Sequence, residues 1–417
     1  MLLKRFFSTS GGQLRRFSAL YLTGDKAREE YASVHPYLDF QGVLGNREAL
    51  QESLEKRNCS INLQDLYSQW KKYKNIQEQK KSMEQRREEI VRILKESPGL
   101  KSDNVESLKA EGKQLRNTLT DLKENSYEFE EEFINKFLEL PNLIQSQSKD
   151  RVIYTYLTKD SSAKPSGLSS DLICKDSIYF SKGDLAKFEF FFPIFCQKFF
   201  KLKGFEYFSN PDFARSVIVE AAGMPKDYLY RVLEDEGSKI NLLHLTGGSS
   251  MLSFLSFIAR LSVFPKQLPL AFIANGKNYC KNNPRNQGNS VQLFYASSSK
   301  ENAEEFIDKI VKDFREIYEK FSNHFRIINV PPEKLESSEL MRFSLEFYSS
   351  TREDYSEVAS VSFHGDFISK RLLFNFKEGK EFKFPQIVTA TICDTSKLSE
   401  VLLENHTDFC ELLKIFK

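Results

Sequence analysis

A long stretch in which apolar residues recur every three or four positions, from residue 63 to residue 138, limits the folds open to this chain more than any other feature. Its second half is the more regular and forms a heptad seam, typical of one helix packed along another, at Val105, Leu108, Gly112, Leu115, Leu119, Leu122, Ser126, Phe129 and Phe133. The seam of the first half consists of Leu63, Leu66, Trp70, Tyr73, Ile76, Met83, Ile90 and Leu94. Between the halves, Ser97-Pro98-Gly99 breaks the helix, because proline and glycine are poor helix formers.

Two long helices joined by a short turn make an antiparallel helical hairpin. Since a helix rises about 1.5 Å per residue, each helix of about 32 residues would extend on the order of 50 Å. No domain core is that deep. The pattern therefore predicts an arm that projects from the body of the protein.

The helix before the turn carries nine basic residues between positions 71 and 95, namely Lys71, Lys72, Lys74, Lys80, Lys81, Arg86, Arg87, Arg92 and Lys95. Glutamates share this stretch, so one interpretation is a solvated face with ion pairs between neighbouring turns. The alternative is a stripe that contacts phosphates, which binds through charge and carries little sequence information. The helix after the turn is rich in acids, which could pair with this stripe unless the basic face points outward. We take the nine residues as candidate RNA-binding residues.

The overall charge gives no general support to a nucleic-acid partner, because 60 basic residues are balanced by 58 acidic ones. Any basic surface must therefore be local. The six cysteines include no Cys-x-x-Cys pair and the five histidines no His-x-x-x-His pair. The sequence thus predicts reduced thiols, with neither a disulfide framework nor a metal site. No run of about 18 apolar residues occurs, so we expect no membrane-spanning helix.

The first 24 residues are basic and rich in hydroxyl groups, and the first acid of the chain is Asp25. This composition is typical of a mitochondrial presequence, whereas a secretory signal would need a longer apolar run. The other interpretation is a disordered basic tail. We predict that residues 1–24 are a presequence and that the mature protein works in the mitochondrial matrix.

Pro141 ends the arm, and residues 145–170, rich in Ser, Gln, Lys and Asp, predict a linker. Beyond the linker, the patterns predict helices at 184–203, 250–262, 301–321 and 397–415. They predict strands at 205–208, 268–274, 291–296, 325–330, 343–348, 357–363, 371–376 and 385–392. Strands that follow strands, without regularly alternating helices, indicate an α+β domain with an antiparallel sheet.

This order of parts, with the arm closed by Leu138-Glu-Leu-Pro-Asn-Leu-Ile144, resembles the seryl-tRNA synthetase family over residues 36–417. The resemblance implies an α+β fold, with a class II synthetase-like antiparallel sheet flanked by helices and preceded by the long helical hairpin. It also implies that residues 25–144 form a tRNA-binding arm, which in that family grips serine tRNA. Residues 171–417 would then form the class II domain, which is dimeric in the family.

The family's first motif is a long helix followed by a glycine, a strand and a proline, and it forms much of the dimer interface. The implied interface residues here are Phe188, Phe192, Phe195, Phe199 and Pro211. The alternative is that the apolar helix face belongs to the core alone. Pro193 departs from the motif and predicts a kink or a shorter helix.

Three windows match the family's substrate site in order and spacing but not in chemistry. The carboxylate that would hold the amino group of serine is absent near Gly248 and Ser250, and a hydroxyl cannot supply that charge. The second motif loses its Arg, Glu, Arg and His, whose places are taken by Lys281, Asn283, Ser290 and Gln292. The third motif and its final arginine are altered at Ile368, Lys370, Thr389 and Lys397.

The frame of the third motif is better kept, at Glu357, Ser360, Ser362 and Arg371. By resemblance, Glu357 and Ser360 match metal and nucleotide ligands, although both also suit ordinary polar strand positions. Lysine lacks the planar face with which arginine binds phosphate and stacks on adenine. Because losing one preorganised group costs about 10²–10³ in rate, the chemical step should be lost when several change together.

These alterations resemble the catalytically inactive branch of the family found in insect mitochondria. We predict a non-catalytic protein that binds RNA through its arm, with serine tRNA as the expected partner and with no cofactor and no membrane contact. An alternative hypothesis is an inactive subunit paired with the catalytic mitochondrial seryl-tRNA synthetase, since a diverged copy can inherit a self-complementary interface. A homodimer is also open, and a third hypothesis is an active ligase with relocated ligands.

Overall fold

The structure, a computed structural model, describes residues 18–22, 34–96, 102–145, 151–157, 172–175, 178–234, 240–281, 287–405 and 407–416. The predicted turn at Ser97-Pro98-Gly99, the candidate site residue Asn283 and most of the predicted presequence lie outside these ranges. No helix in the described ranges is long and apolar enough to cross a membrane.

The helices are α1 (Phe40–Leu44), α2 (Arg47–Lys56), α3 (Leu63–Glu96), α4 (Ser102–Leu138), α5 (Gly183–Leu202), α6 (Ser216–Ala221), α7 (Met251–Ile258), α8 (Lys300–Tyr318), α9 (Phe367–Leu372), α10 (Thr395–Glu404) and α11 (Phe409–Phe416). The first eight strands are β1 (Val152–Tyr156), β2 (Leu172–Lys175), β3 (Ile178–Ser181), β4 (Glu206–Tyr207), β5 (Phe213–Arg215), β6 (Tyr230–Val232), β7 (Leu243–Leu245) and β8 (Ser262–Val263). The remaining strands are β9 (Leu270–Tyr279), β10 (Gln287–Ser297), β11 (Phe325–Asn329), β12 (Met341–Ser349), β13 (Asp354–Gly365), β14 (Asn375–Glu378), β15 (Glu381–Lys383) and β16 (Gln386–Asp394).

Helices α3 and α4, of 34 and 37 residues, form the predicted arm and pack along the heptad seam. Gly112 belongs to that seam because its α-carbon lies against Ile90, where an added Cβ would be 3.7 Å from the Ile90 side chain. At the base of the arm, Phe133 and Phe137 of α4 pack with Leu50 of α2 in a separate apolar cluster. The prediction of two long paired helices is confirmed.

The body is built on an eight-stranded sheet in the order β1-β11-β12-β13-β16-β10-β9-β4, antiparallel except for the β4–β9 pair. The fold class predicted from the sequence, α+β with an antiparallel sheet, is confirmed. Strand β1 pairs with β11 although it lies inside the predicted linker at 145–170. That linker therefore includes an edge strand, which its polar composition concealed.

One face of the sheet carries the main core, where α5, α8, α10 and α11 pack on alternate residues of the central strands. Fully buried aromatic rings such as Phe188, Phe314 and Phe363 fill this layer, and burying each contributes about 1.5–3 kcal/mol relative to exposure. Of the two effects predicted for Pro193, a kink or a shorter helix, the second does not occur, since α5 continues from Gly183 to Leu202 around it.

Two other local predictions differ from the structure. The segment predicted as a strand at 371–376 instead begins with the end of α9, because Ile368 and Leu372, four residues apart, bury one helix face completely. The helix predicted at 397–415 is divided into α10 and α11, which are separated at Asn405. Both errors concern short elements whose packing, rather than their local sequence pattern, decides their form.

Candidate functional site

The second face of the sheet carries a row of polar residues at its centre, on β10, β16 and β13. Because side chains alternate along a strand, Val291 and Leu293 enter the main core while Ser290 and Gln292 point to the opposite face. The register places Gln292 beside Thr391 and Thr389 beside Ser362. The sheet therefore brings together side chains from the second and third altered windows on one surface, which we call the polar sheet face.

At one end of the polar sheet face, a tight loop takes the place expected for the missing carboxylate. Gly247 has φ +91°, and a Cβ there would lie 2.0 Å from the carbonyl oxygen of Lys277, so only glycine allows the loop to press on β9. The buried Ser249 hydroxyl lies 2.7 Å from Ser290 and within 3.0 Å of the Gly276 carbonyl. Ser250 accepts from the Leu252 amide and caps α7, so its hydroxyl serves the helix.

Gly248 is also held by the protein itself, because its carbonyl oxygen accepts a hydrogen bond of 3.0 Å from the side-chain amide of Asn210. Further along the same face, Thr391 donates to Gln292 at 2.9 Å. The predicted replacements Gln292 and Ser290 thus bond to neighbouring side chains of the protein.

His364 forms the centre of a second buried group on the polar sheet face. Its Nε2 lies 2.9 Å from the Thr389 hydroxyl and its Nδ1 lies 3.0 Å from the Ser338 hydroxyl. Burial lowers the pKa of His364 from 6.5 to about 4, because a charged imidazolium loses its hydration there. The ring is therefore neutral at physiological pH and joins two hydroxyl groups.

A third group surrounds the retained residues Glu357 and Ser362. Ser344 donates to Glu357 at 2.9 Å, and Ser362 donates to Glu339 at 2.6 Å. The guanidinium of Arg342 lies between the two glutamates, 3.5 Å from Glu357 and 3.8 Å from Glu339. Burial raises the pKa of Glu339 although Arg342 opposes this shift. For Arg342, burial lowers the pKa, but four nearby carboxylates, with Glu357 and Glu339 foremost, outweigh it, so the net pKa is raised.

Ser360, the other retained residue, lies on the same face opposite Thr391 and Ser344. Glu339, Arg342 and His364 were missed by sequence reasoning, since they stand outside the motif positions. A partly buried arginine flanked by two acids carries no short sequence pattern. The folding of β12, β13 and the residues just before β12 brings these side chains together.

The two lysines that replace motif arginines have separate surroundings. The Lys281 ammonium lies 5.4 Å from the centre of the Tyr230 ring, and its amide donates to the Tyr228 carbonyl. Lys397 lies 3.9 Å from Asp394, and its side chain is 46% exposed. No described contact joins Lys281 to Lys397. The described residues contain no group of three or more His, Cys, Asp or Glu side chains that could hold a metal ion.

One altered and one retained residue of α9, Lys370 and Arg371, connect the body to the base of the arm. Lys370 bonds to Asp39 and to Asp366, each at 2.8 Å. Burial lowers its pKa, but the two carboxylates outweigh that effect and the net pKa is raised. Arg371, which is buried, donates to the Leu138 carbonyl at 2.8 Å. These cations now fix the position of the arm.

Two residues that the motif comparison did not single out strengthen the same junction. Arg57, which caps the C-terminal end of α2, donates to the carbonyls of Glu336 and Glu339. The Asn142 side chain donates to Ser338 at 2.9 Å and to the His364 carbonyl at 2.8 Å. The arm base and the third-motif region therefore share one network of hydrogen bonds.

The nine candidate RNA-binding residues do not form a single surface. Lys80 is buried in the seam, where it bonds to Ser126 and Glu130, so it does not belong to an exposed stripe. Arg86 is exposed but pairs with Glu111 through two hydrogen bonds of 2.8 and 3.1 Å. Lys72 and Lys74 lie over the rings of Phe129 and Trp70. Exposed and without an ion pair to any described residue are Lys71, Lys81, Arg87, Arg92 and Lys95.

The implied dimer residues also separate into groups. Phe188 and Phe192 are completely buried within this chain, so they are core residues and cannot meet a partner as placed. Phe195 and Phe199 are partly buried against the same core, and Pro211 is exposed. The core interpretation of the apolar helix face therefore holds for its two innermost rings.

An antiparallel sheet of this order, flanked by helices and preceded by a long helical hairpin, is the architecture of a class II aminoacyl-tRNA synthetase. The seryl-tRNA synthetase of Pyrococcus horikoshii complexed with ATP matches 89% of this chain and 94% of its own, with a TM-score of 0.74 and 17% sequence identity. The cytoplasmic serine-tRNA ligase of Naegleria fowleri in complex with AMP matches 89% of this chain and 92% of its own, with a TM-score of 0.71 and 16% sequence identity.

Sequence comparison narrows the assignment. Residues 37–144 match the model of the seryl-tRNA synthetase N-terminal domain. The serine–tRNA synthetase-like protein Slimp of Drosophila melanogaster is 31% identical over 99% of this chain and 94% of its own length. The mitochondrial serine–tRNA ligase of Mus musculus is 25% identical over 92% of this chain and 82% of its own length. The chain belongs to the seryl-tRNA synthetase family.

Proposed function

We propose that this protein is a non-catalytic seryl-tRNA synthetase paralogue of mitochondria, which binds RNA through its arm and neither binds ATP nor joins serine to tRNA. The observation that carries the proposal is the polar sheet face. Its hydroxyl, amide and imidazole groups bond to one another, as in the Ser249–Ser290 and Thr389–His364 pairs. Among the described residues of this face, these groups are therefore engaged with one another, whereas an adenylating site needs donors directed at the developing charge.

The placement of the cations supports the same proposal. An adenylating site needs arginines that grip the phosphates bidentately. Here Lys281 lies over Tyr230, Lys370 is held by two aspartates, and Lys397 is near Asp394. Each of these three lysines therefore contacts another side chain of the protein, and none can bind a phosphate bidentately as an arginine would.

The test of catalysis is serine-dependent ATP–pyrophosphate exchange by the purified protein, with a catalytic mitochondrial seryl-tRNA synthetase assayed in parallel. We expect no exchange above a blank without enzyme, with or without tRNA. Exchange that depends on serine and rises with enzyme concentration would refute the non-catalytic proposal and favour a ligase with relocated groups.

RNA binding through the arm is supported by the cations near its free end. Arg87, Arg92 and Lys95 line a shallow concavity of about 340 Å³. Val91 and two glutamates, Glu88 and Glu96, complete its lining, so cations exceed acids there by one. Phosphates bind such a surface by releasing counterions, so affinity should fall steeply with salt. Serine tRNA is the expected ligand because the arm matches the family's N-terminal domain.

The variant for this test reverses four exposed cations to glutamate, at Lys81, Arg87, Arg92 and Lys95. A matched control reverses four exposed lysines of the body instead, namely Lys309, Lys312, Lys320 and Lys334. We expect the arm variant to lose tRNA retention and to reduce the salt dependence by about one counterion per lost contact. Equal losses in both variants would remove the arm from the RNA proposal.

A mitochondrial location is supported by the acid-free basic start of the chain and by the mitochondrial ligases among its relatives. Fusion of residues 1–24 to a fluorescent protein tests it. We expect the fusion to enter mitochondria and the same fusion with Lys4, Arg5, Arg15 and Arg16 changed to glutamine to stay outside.

A second candidate function is that of an inactive partner subunit for the catalytic mitochondrial enzyme. It is favoured by exposed aromatic residues near the edge strand β4, where Tyr207 is 54% and Phe257 47% exposed. Mass photometry of the protein alone and mixed with the catalytic paralogue distinguishes homodimer from heterodimer. A single monomeric species in both samples would contradict this second function.

A further inference from the structure

Residues 18–22 lie within the predicted presequence, yet the structure places them inside the protein. The Glu220 carboxylate accepts three hydrogen bonds from this segment: from the Ser18 hydroxyl at 2.6 Å, and from the amides of Ala19 and Leu20 at 2.9 Å each. Such charge-assisted bonds to backbone amides are stronger than neutral ones. Glu220 also pairs with Lys226, so its charge is balanced.

The side chains of this segment contact two different parts of the molecule. Ala19 and Leu20 are 6% and 1% exposed. They belong to an apolar cluster of the body that also includes Val219 and lies apart from the main core. Tyr21 packs instead against the apolar cluster at the base of the arm, and burial raises its pKa. The segment therefore bridges arm and body within five residues.

A cavity of about 800 Å³ lies beside the segment, between the base of the arm and the body. Its walls come from the end of α4, including Asn135 and Leu138, and from the body, including Met224 and Ile240. Ser18 and Leu20 line the same cavity. Without them, the partly buried Glu220 carboxylate would lose all three of these donors, and the apolar residues that now bury Leu20 would be exposed.

We propose that residues 18–22 are retained in the mature protein as a staple that binds the Glu220 site and fixes the arm to the body. Presequence removal must then occur before Ser18, not after residue 24. The cleavage position rests on the proposed mitochondrial import, whereas the staple itself does not. The Glu220 site is thus a binding site for the chain's own processed N-terminal segment.

The staple is tested by comparing chains that begin at Ser18 and at Thr23 with the full-length protein. We expect the Ser18 chain to match the full-length protein in melting temperature. The Thr23 chain should melt earlier and exchange the amides of 133–140 and 217–224 roughly tenfold faster or more, since a buried leucine is lost. Amides of β11, remote from the segment, should keep their rates. Equal melting and equal exchange in the two shortened chains would overturn the staple.

A point variant in the full-length protein distinguishes a local effect of the staple from general unfolding of the shortened chain. Leu20→Asp in the full-length protein should speed exchange at the same two regions while leaving β11 protected, and Tyr37→Asp, half exposed, serves as the control for an added charge. Faster exchange across the whole molecule, including β11, would overturn the idea of a local staple.

The cleavage position is tested by importing the full-length protein into isolated mitochondria and measuring the intact mass of the product. We expect a mature chain that begins at or before Ser18. A chain that begins after Leu22 would overturn the retention of the staple. Absence of import or cleavage would overturn the mitochondrial proposal, while the comparison of the shortened chains would still decide the staple.

Discussion

Replacement of His364 should change how the stability of the protein depends on pH. The ring is buried between Thr389 and Ser338, and burial lowers its pKa to about 4 from an ordinary 6.5. Below pH 6.5, His364 binds a proton in the unfolded chain but not in the folded protein, until the pH approaches 4. Stability must therefore fall as the pH drops from 7 toward 4.

The size of the effect follows from the two pKa values. The pKa of His364 differs by about 2.5 between the unfolded and folded states, which lowers the free energy of unfolding by roughly 3 kcal/mol once the pH is below both pKa values. About 2 kcal/mol of this loss occurs between pH 7 and pH 5. The variant His364→Gln keeps a neutral group of similar size with hydrogen-bonding capacity and has no proton to bind. It should lose about 2 kcal/mol less than the parent over the same interval.

Urea unfolding followed by far-UV circular dichroism at pH 7 and pH 5 measures this difference, provided that both proteins give the same m-value. The variant His324→Gln is the control: that ring is only partly buried, and its removal should flatten the pH dependence by a smaller amount. If His364→Gln and the parent lose the same stability between the two pH values, the ring is not held neutral, and the description of the polar sheet face is wrong.

Three further outcomes are expected. Lys80→Met removes the ion-pair partner of the buried Glu130 and should destabilise the arm by about 3–5 kcal/mol, measured as a lower melting temperature. The double variant Lys80→Met/Glu130→Leu should regain most of the lost melting temperature; if it does not, the two residues do not form a buried pair. Phe188→Ala should cost about 3–5 kcal/mol in urea unfolding, and a change of oligomeric mass without that loss would return the residue to the interface. Arg371→Met should speed amide exchange at residues 138–140 by leaving carbonyls without a donor; unchanged exchange there would exclude an anchoring role.

The arm could be predicted from the sequence because its heptad pattern repeats over many turns, so that single exceptions such as Gly112 do not obscure it. The antiparallel sheet followed from the succession of strands. Short elements failed: α9 was predicted as part of a strand, since six residues cannot display a helical period, and β1 was hidden in a polar segment. Their form is set by contacts distant in the sequence.

The candidate site was predictable in its outline but not in its chemistry. The altered windows assign Ser290, Gln292 and Thr389 to one expected site, and the structure places all three on one face of the sheet. The sequence did not reveal that these groups bond to partners such as His364 or Ser249, which lie outside the motif positions. Nor could it distinguish the buried Lys80 from exposed lysines a few residues away, because charge alone does not indicate which way a seam residue points.

The arm can also be considered as a lever. Helix α3 has 34 residues and is therefore about 50 Å long, so a rotation of 5° at its base moves its tip by about 4 Å. That displacement exceeds the length of a charge-assisted hydrogen bond, about 2.7–2.9 Å. The orientation of the arm is held by a few bonds at its base, such as those of Asp39, Arg57 and Asn142. How far these bonds let the arm rotate would then decide which phosphates the cations near its tip can reach. Substitutions far from any bound RNA could change its register without touching it.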